Sequence, residues 1–184
     1  MRQSTAVRDW SGELPEPGTY QLVPGTCCAE FSVTQFFVST VRGRMAAIEG
    51  QLTIDAEDPY ASWVRVDLDT GTVDTGSHER DTVLRSPEAL DVENYPVTRF
   101  ESTQIGGLAS TPFAVSGDLY LKDVVGEVSL SAQAVRLQPG RVRFAATTTL
   151  SRRAFGLVWD RSIEKLGLIV GDSVRITVAA EFVA

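Results

Sequence analysis

Alternation of apolar and polar residues with a period of two is the feature that most constrains the fold of this chain. In FAVSGDLYLK, residues 113–122, one set of positions is apolar or glycine and the other set is mostly polar. The same pattern recurs in residues 48–55, 62–69, 126–134, 141–150 and 173–182. This period is typical of strands with one buried and one wet face, and such strands belong to antiparallel sheets. The sequence therefore predicts an all-β chain.

Several positions on the predicted inner faces carry small side chains. In residues 48–55 the pattern places Ile48, Gly50, Leu52 and Ile54 on one face. The small inward residues of all the strands are Gly50, Gly117, Ala132, Ala134, Ala146, Thr148 and Ala180. They either leave space for a ligand inside a barrel or lie where strands pack closely, and the pattern alone slightly favours close packing.

Two stretches, residues 77–96 and 151–172, interrupt the alternation and predict connections around the sheet. In the first, Ser77 suits the N-cap of a short helix that Pro87 would end. We count eight or nine strands, enough for a barrel or a sandwich. We expect one domain over residues 18–184, preceded by a loosely ordered extension over residues 1–17.

Charge and composition argue against several classes of function. The net charge of −7 is a poor match to nucleic acid, whose phosphates need clustered lysine and arginine. No apolar run approaches the ~20 residues of a membrane-spanning helix. The first residues also lack the apolar segment of a secretory signal, so we expect a cytoplasmic protein without membrane insertion.

The chain also offers few residues for metal binding or catalysis. His78 is the only histidine, and Cys27 and Cys28 are adjacent, which is too few soft ligands for a metal site. The two thiols are interpreted as half-buried residues entering a strand, although a strained disulfide between them is conceivable. No known nucleophile or phosphate-loop motif occurs.

The charged pair Arg80–Asp81 beside His78 admits two interpretations. It is either an acid–base pair or head-group clamp, or a structural tie in which Asp81 accepts backbone N–H groups and Arg80 pairs with Asp91 or Glu93. We favour the structural tie, and we favour a solvated surface position for His78 over a general base.

The order and spacing of several segments resemble the YceI family of lipocalin-like barrels over about Gly18 to Val183. Similar to that family are GTYQLVPGTCCAEFSV, VDTGSHERDTVLRSPEALDVENYPVTRFES, FAVSGDLYLKDVVGEVSL and SRRAFGLVW. The resemblance implies an antiparallel eight-stranded barrel with a short helical insert around residues 77–93. It also implies that Arg80, Asp81 and Arg85 form a structural motif.

The same resemblance implies an interior that holds a long apolar ligand of the polyisoprenoid or isoprenoid-quinone type. The residues then expected to line the cavity are Phe31, Val33, Phe37, Val64, Val66, Leu84, Phe100, Phe113, Val115, Leu119, Leu130, Phe144, Ala146, Phe155 and Trp159. Where relatives often have histidines this chain has Thr26, Gln35 and Val83, and Ala154 replaces a frequent aspartate. These departures leave the ligand's identity open.

Three functions follow as hypotheses. The first is a binding module that sequesters or carries a long apolar molecule, with no catalytic residue, metal or cofactor beyond a bound isoprenoid or lipid. The alternative is a barrel enzyme that promotes cyclisation or isomerisation of an apolar intermediate by orienting it and excluding water. The third is a stress-responsive protein whose ligand is incidental. In each case the expected partner is the apolar small molecule. The sequence does not decide between a monomer and a homodimer.

Overall fold

The fold is an antiparallel barrel, seen in a computed structural model that describes residues 15–35, 39–108, 111–158 and 170–184. Those residues form nine strands and one α-helix. The strands are β1 (Gly18–Leu22), β2 (Cys28–Gln35), β3 (Ser39–Ile54), β4 (Trp63–Asp69), β5 (Val97–Gly106), β6 (Phe113–Leu121), β7 (Val124–Gln138), β8 (Arg141–Ser151) and β9 (Val170–Val183). The helix, α1, spans His78–Arg85 between β4 and β5. Most of the predicted N-terminal extension lies outside the described residues.

Strand pairing closes the sheet on itself. The order is β1-β3-β2-β9-β8-β7-β6-β5-β4, every neighbouring pair is antiparallel, and β3 also pairs with β4. β1 and β2 both lie between β3 and β9, one after the other along the same ribbon. They therefore share one position of the barrel, and nine strands give eight positions. This confirms the predicted eight-stranded antiparallel barrel with one helical insert.

Short turns join the later strands as hairpins. Lys122 and Asp123 connect β6 to β7, and Pro139 and Gly140 connect β7 to β8. Gly140 has φ +72°, a backbone conformation that glycine adopts without steric cost.

A bulge in β3 changes which residues face inwards. The register against β4 shifts just after Ala47, which makes Ile48 the extra residue of the bulge and leaves it 56% exposed. The prediction that Ile48 points into the barrel is therefore wrong. Beyond the bulge Leu52 is buried as expected, whereas before it the inward positions are those of Val41 and Met45.

The small inward residues serve two different purposes. A Cβ added at Gly117 would lie 2.2 Å from the Glu101 carbonyl oxygen and 2.8 Å from the Phe100 ring, so glycine is required by the close approach of β5. Ala132 and Ala146, in contrast, face open space inside the barrel. Close packing of β5 against β6 thus accounts for Gly117, whereas Ala132 and Ala146 leave space inside the barrel.

Candidate ligand cavity

Two apolar chambers lie end to end inside the barrel, each with a cavity volume of about 170 Å³. The upper chamber reaches Pro59 in the β3–β4 connection and Leu108 after β5, and the lower chamber reaches Leu84 of α1. The two share a waist formed by Ala29, Leu68, Thr98, Leu119, Leu150 and Ile176. An apolar cavity of this size stays dry and accepts apolar guests. The two chambers therefore adjoin at the waist.

Most of the residues expected to line a cavity do so. The upper wall contains Val64, Val66, Phe100, Phe113, Val115, Leu119, Leu130, Phe144 and Ala146. The lower wall contains Phe31, Val33, Leu84 and, at the waist, Leu119 again. The predicted lining residues Phe37 and Trp159 lie outside the described residues.

Phe155 occupies a different place from the one expected. It is buried in a cluster with Val73, Leu90 and Leu121, and its ring lies where a Cβ on Gly126 would otherwise be. Gly126 belongs to the inward-facing set of β7, so the ring packs against the inner side of that strand. Phe155 is not among the described residues that line the two chambers.

The hydroxyl groups on the wall are already hydrogen-bonded to the protein. The Thr98 hydroxyl at the waist lies 3.1 Å from the hydroxyl of buried Thr70. The Thr148 hydroxyl donates to the Ser129 carbonyl at 2.8 Å, and Ser62 Oγ accepts the Asp55 N–H at 3.0 Å. These groups present little polarity to an occupant of the chambers.

Helix α1 sits at the lower end because its first turn and its last turn are both tied to the chain before it. Ser77 is the N-cap, as predicted, and its side chain accepts the Arg80 N–H. Arg85 donates from Nε to the Gly71 carbonyl at 2.9 Å and from Nη2 to the Val73 carbonyl at 2.5 Å. The helix is thereby held with Leu84 towards the lower chamber.

The Arg80–Asp81 pair behaves only in part as the structural interpretation expects. Buried Asp81 accepts the Thr75 N–H at 2.9 Å and the Thr75 hydroxyl at 2.6 Å, in agreement with its expected role. Arg80 forms no ion pair with Asp91 or Glu93 in the described part of the chain, so that expectation is wrong. Arg80 instead lines the lower chamber.

Sequence reasoning did not identify two basic residues as part of the cavity wall. For Arg80 the structural tie was favoured over a head-group clamp, and Arg152 was not singled out, yet both lie on the lower wall. Arg152 follows the end of β8 and is buried, with Nε donating to the Gly171 carbonyl at 3.1 Å and Nη1 to the Leu157 carbonyl at 2.5 Å. An arginine directly after an alternating strand is a weak signal for such a residue.

The residues with reactive side chains lie elsewhere. His78 is exposed on α1. Cys27 and Cys28 are free thiols, and burial, together with the adjacent Cys28, raises the pKa of Cys27 to about 11. Cys27 is therefore a protonated, buried thiol at neutral pH. Within the described ranges, no three histidine, cysteine, aspartate or glutamate side chains come together as a metal site would require.

Outside the barrel, a charged network stabilises β4 against β5. The Asp67 carboxylate is only 6% exposed and accepts hydrogen bonds from Arg65 and Arg99 at 2.8–3.3 Å. Burial raises the pKa of Asp67, but the hydrogen bonds from Arg99 and Arg65 outweigh burial and hold that pKa below its usual value. This network braces the wall from the solvent side.

Comparison with known proteins places these features in context. The family model of the YceI-like domain matches residues 20–182 of this chain. A UPF0312 protein of Ectopseudomonas mendocina is 31% identical over 135 residues, which are 71% of this chain and 71% of that protein. A UPF0312 protein of Pseudomonas aeruginosa is 31% identical over 136 residues, with the same coverage of both chains.

Two solved structures share the architecture. BcnA of Burkholderia cenocepacia superposes with a TM-score of 0.74 at 16% identity, covering 87% of this chain and 98% of BcnA. A polyisoprenoid binding domain from Saccharophagus degradans, implicated in plant cell wall breakdown, superposes with a TM-score of 0.69 at 17% identity. That match covers 90% of this chain and 98% of the domain, and both likenesses concern the fold.

In the described part of this chain, no helix has both the length and the apolar character needed to cross a membrane.

Proposed function

Since this chain belongs to the family of YceI-like domains, we propose that its barrel binds and carries a long apolar small molecule in the two chambers. The observation that carries the proposal is the shared waist, at which two apolar chambers of about 170 Å³ adjoin inside the barrel. We infer that a ligand chain passes this waist, so that the two chambers act as one elongated compartment. An elongated dry compartment matches a chain-like ligand better than a compact one. Affinity would come from the apolar area removed from water, at roughly 25 cal/mol per Å² before the cost of association.

An isoprenoid, an isoprenoid quinone or a similar lipid is the class of ligand we propose. The related fold from Saccharophagus degradans is described as a polyisoprenoid binding domain. The methyl branches of an isoprenoid would fit beside the small side chains of Ala132, Ala146 and Ala180 on the upper wall. A carrier of this kind needs walls that exclude water but no reactive group.

Carriage is favoured over an enzyme that cyclises or isomerises its ligand. The hydroxyl groups of Thr98 and Thr148, and Ser62 Oγ, are occupied by hydrogen bonds within the protein. A general acid or base must lie within hydrogen-bond reach of the reacting atom and be free to exchange a proton. The Thr148 hydroxyl donates its proton to a backbone carbonyl and does not meet that second condition.

The proposal is tested by titrating the purified, delipidated protein with all-trans geranylgeraniol, a 20-carbon isoprenoid alcohol, and following the complex by native mass spectrometry. We expect saturable binding of one molecule per barrel and competition by other long apolar chains. Absence of any complex with geranylgeraniol or with a competing chain would overturn the proposal.

A further inference from the structure

Arg80 carries an unsatisfied donor on the wall of the lower chamber. Its Nε is sealed from solvent and has no hydrogen-bond partner, and the side chain is one of only two charged ones among the described lining residues. In the described structure the guanidinium group also forms no ion pair. A guanidinium group stays charged at any physiological pH and presents five N–H donors.

The neighbouring carboxylates are engaged elsewhere or face solvent. Oδ1 of Asp81 accepts two hydrogen bonds from Thr75, and both carboxylate oxygens of Asp91 accept the Asn94 side-chain amide at 3.0 Å. Glu79, next to Arg80 on α1, is exposed. Hence none of the described acidic residues around α1 forms an ion pair with Arg80.

The other arginines in comparable positions show what a structural arginine looks like in this protein. Arg85 and Arg152 each donate to two backbone carbonyls. Arg141 also has a sealed Nε without a hydrogen bond, but that Nε lies 3.7 Å from a Glu181 carboxylate oxygen. Arg80 differs from all three, because its buried Nε has neither a hydrogen bond nor a nearby carboxylate among the described residues.

We propose that Arg80 binds an oxyanion head group, a carboxylate or a phosphate, at the lower end of the compartment. This inference rests on the proposed carriage of an apolar chain and adds the chemistry and the direction of that chain. The head group would lie against Arg80, and the chain would pass the waist beside Leu119 and Ile176 into the upper chamber.

Two physical reasons support this arrangement. A buried donor without a partner is costly, and an oxyanion would supply the missing acceptor with a charge-assisted hydrogen bond. The upper chamber offers no such group, since the described residues of its wall are apolar apart from three side-chain hydroxyls that are hydrogen-bonded to the protein. An amphiphile with one charged end is therefore bound in one orientation.

Three ligands with the same 20-carbon chain test the proposal: geranylgeranoic acid, geranylgeranyl phosphate and geranylgeraniol. We expect the wild-type protein to bind the acid, the phosphate or both about tenfold to a hundredfold more tightly than the alcohol. Which of the two anions binds more tightly distinguishes a carboxylate ligand from a phosphate ligand. Equal affinity for all three ligands would overturn the proposal.

Variants assign the preference to Arg80. Arg80→Met, which keeps an unbranched apolar stem, should lose the preference for the anion and retain affinity for the alcohol. Arg175→Met, on the exposed face of β9, is the matched control and should keep the preference. Arg80→Lys retains the positive charge but not the planar guanidinium group, so it should keep part of the preference for the anion. This variant replaces Arg80→Met if Arg80→Met does not fold.

The outcomes separate this inference from the proposed function. If none of the three ligands binds, both the carrier function and the head-group site fail. If the alcohol binds but the anions have no advantage, or if their advantage survives in Arg80→Met, the head-group site fails and the carrier function stands.

Discussion

Replacing Ala146 with phenylalanine distinguishes a hollow barrel from a filled one. Ala146 lies on the inner face of β8, between Ala132 of β7 and Val178 of β9, and faces the upper chamber. If the chamber of about 170 Å³ is empty in the free protein, a phenyl ring can enter it. Burying such a ring stabilises by about 1.5–3 kcal/mol, whereas forcing it into a filled core costs about 1–3 kcal/mol.

We therefore expect Ala146→Phe to unfold at an equal or higher denaturant concentration than the wild type while losing affinity for geranylgeraniol. Chemical denaturation measures the first quantity, and titration by native mass spectrometry measures the second. Ala145→Phe is the matched control, because the adjacent residue is exposed on the outer face. It should leave binding unchanged. A large loss of stability in Ala146→Phe, or undiminished binding, would refute the description of the chamber.

Three further predictions concern the residues that hold the compartment in place. Gly117→Ala should destabilise by about 1–3 kcal/mol, because its Cβ meets the β5 backbone, whereas Gly106→Ala has open space around its Cβ and should be nearly neutral in thermal unfolding. Arg85→Met leaves two carbonyl acceptors without their donor, so stability should fall by about 1–3 kcal/mol and the α1 amides should exchange faster; unchanged exchange would contradict this role. Asp67→Asn should cost about 1–3 kcal/mol at pH 7. Because folding lowers the Asp67 pKa, its contribution is present above about pH 4 and is lost as the pH falls further, so wild type and variant should converge in acid urea titrations.

Strand patterns predicted the inner faces of the later strands well, because side-chain alternation is a local property. Along β8, for example, Val142, Phe144 and Ala146 face inwards as their spacing requires. The N-cap at Ser77 was equally predictable from the sequence, since capping depends on a few adjacent residues. The closure of the barrel into eight positions followed from the family resemblance rather than from any local pattern.

The features that sequence reasoning missed depend on partners distant in the chain. Ile48 is apolar and in phase with Leu52, but the bulge that turns it outwards is defined by the pairing of β3 with β4. Phe155 looked like a cavity aromatic, but the space beside Gly126 takes its ring. The unpaired state of Arg80 was not predictable, because it depends on where Asp81 and Asp91 find their own hydrogen bonds.

The central claim is that one apolar chain occupies both chambers through the waist. Nuclear Overhauser effects between bound geranylgeraniol and methyl-labelled protein test it most directly. The predicted result is contacts from a single bound molecule to Leu52 in the upper chamber, to Leu119 at the waist and to Leu84 in the lower chamber. Contacts confined to exposed methyl groups such as those of Ile48 and Val125 would contradict the claim.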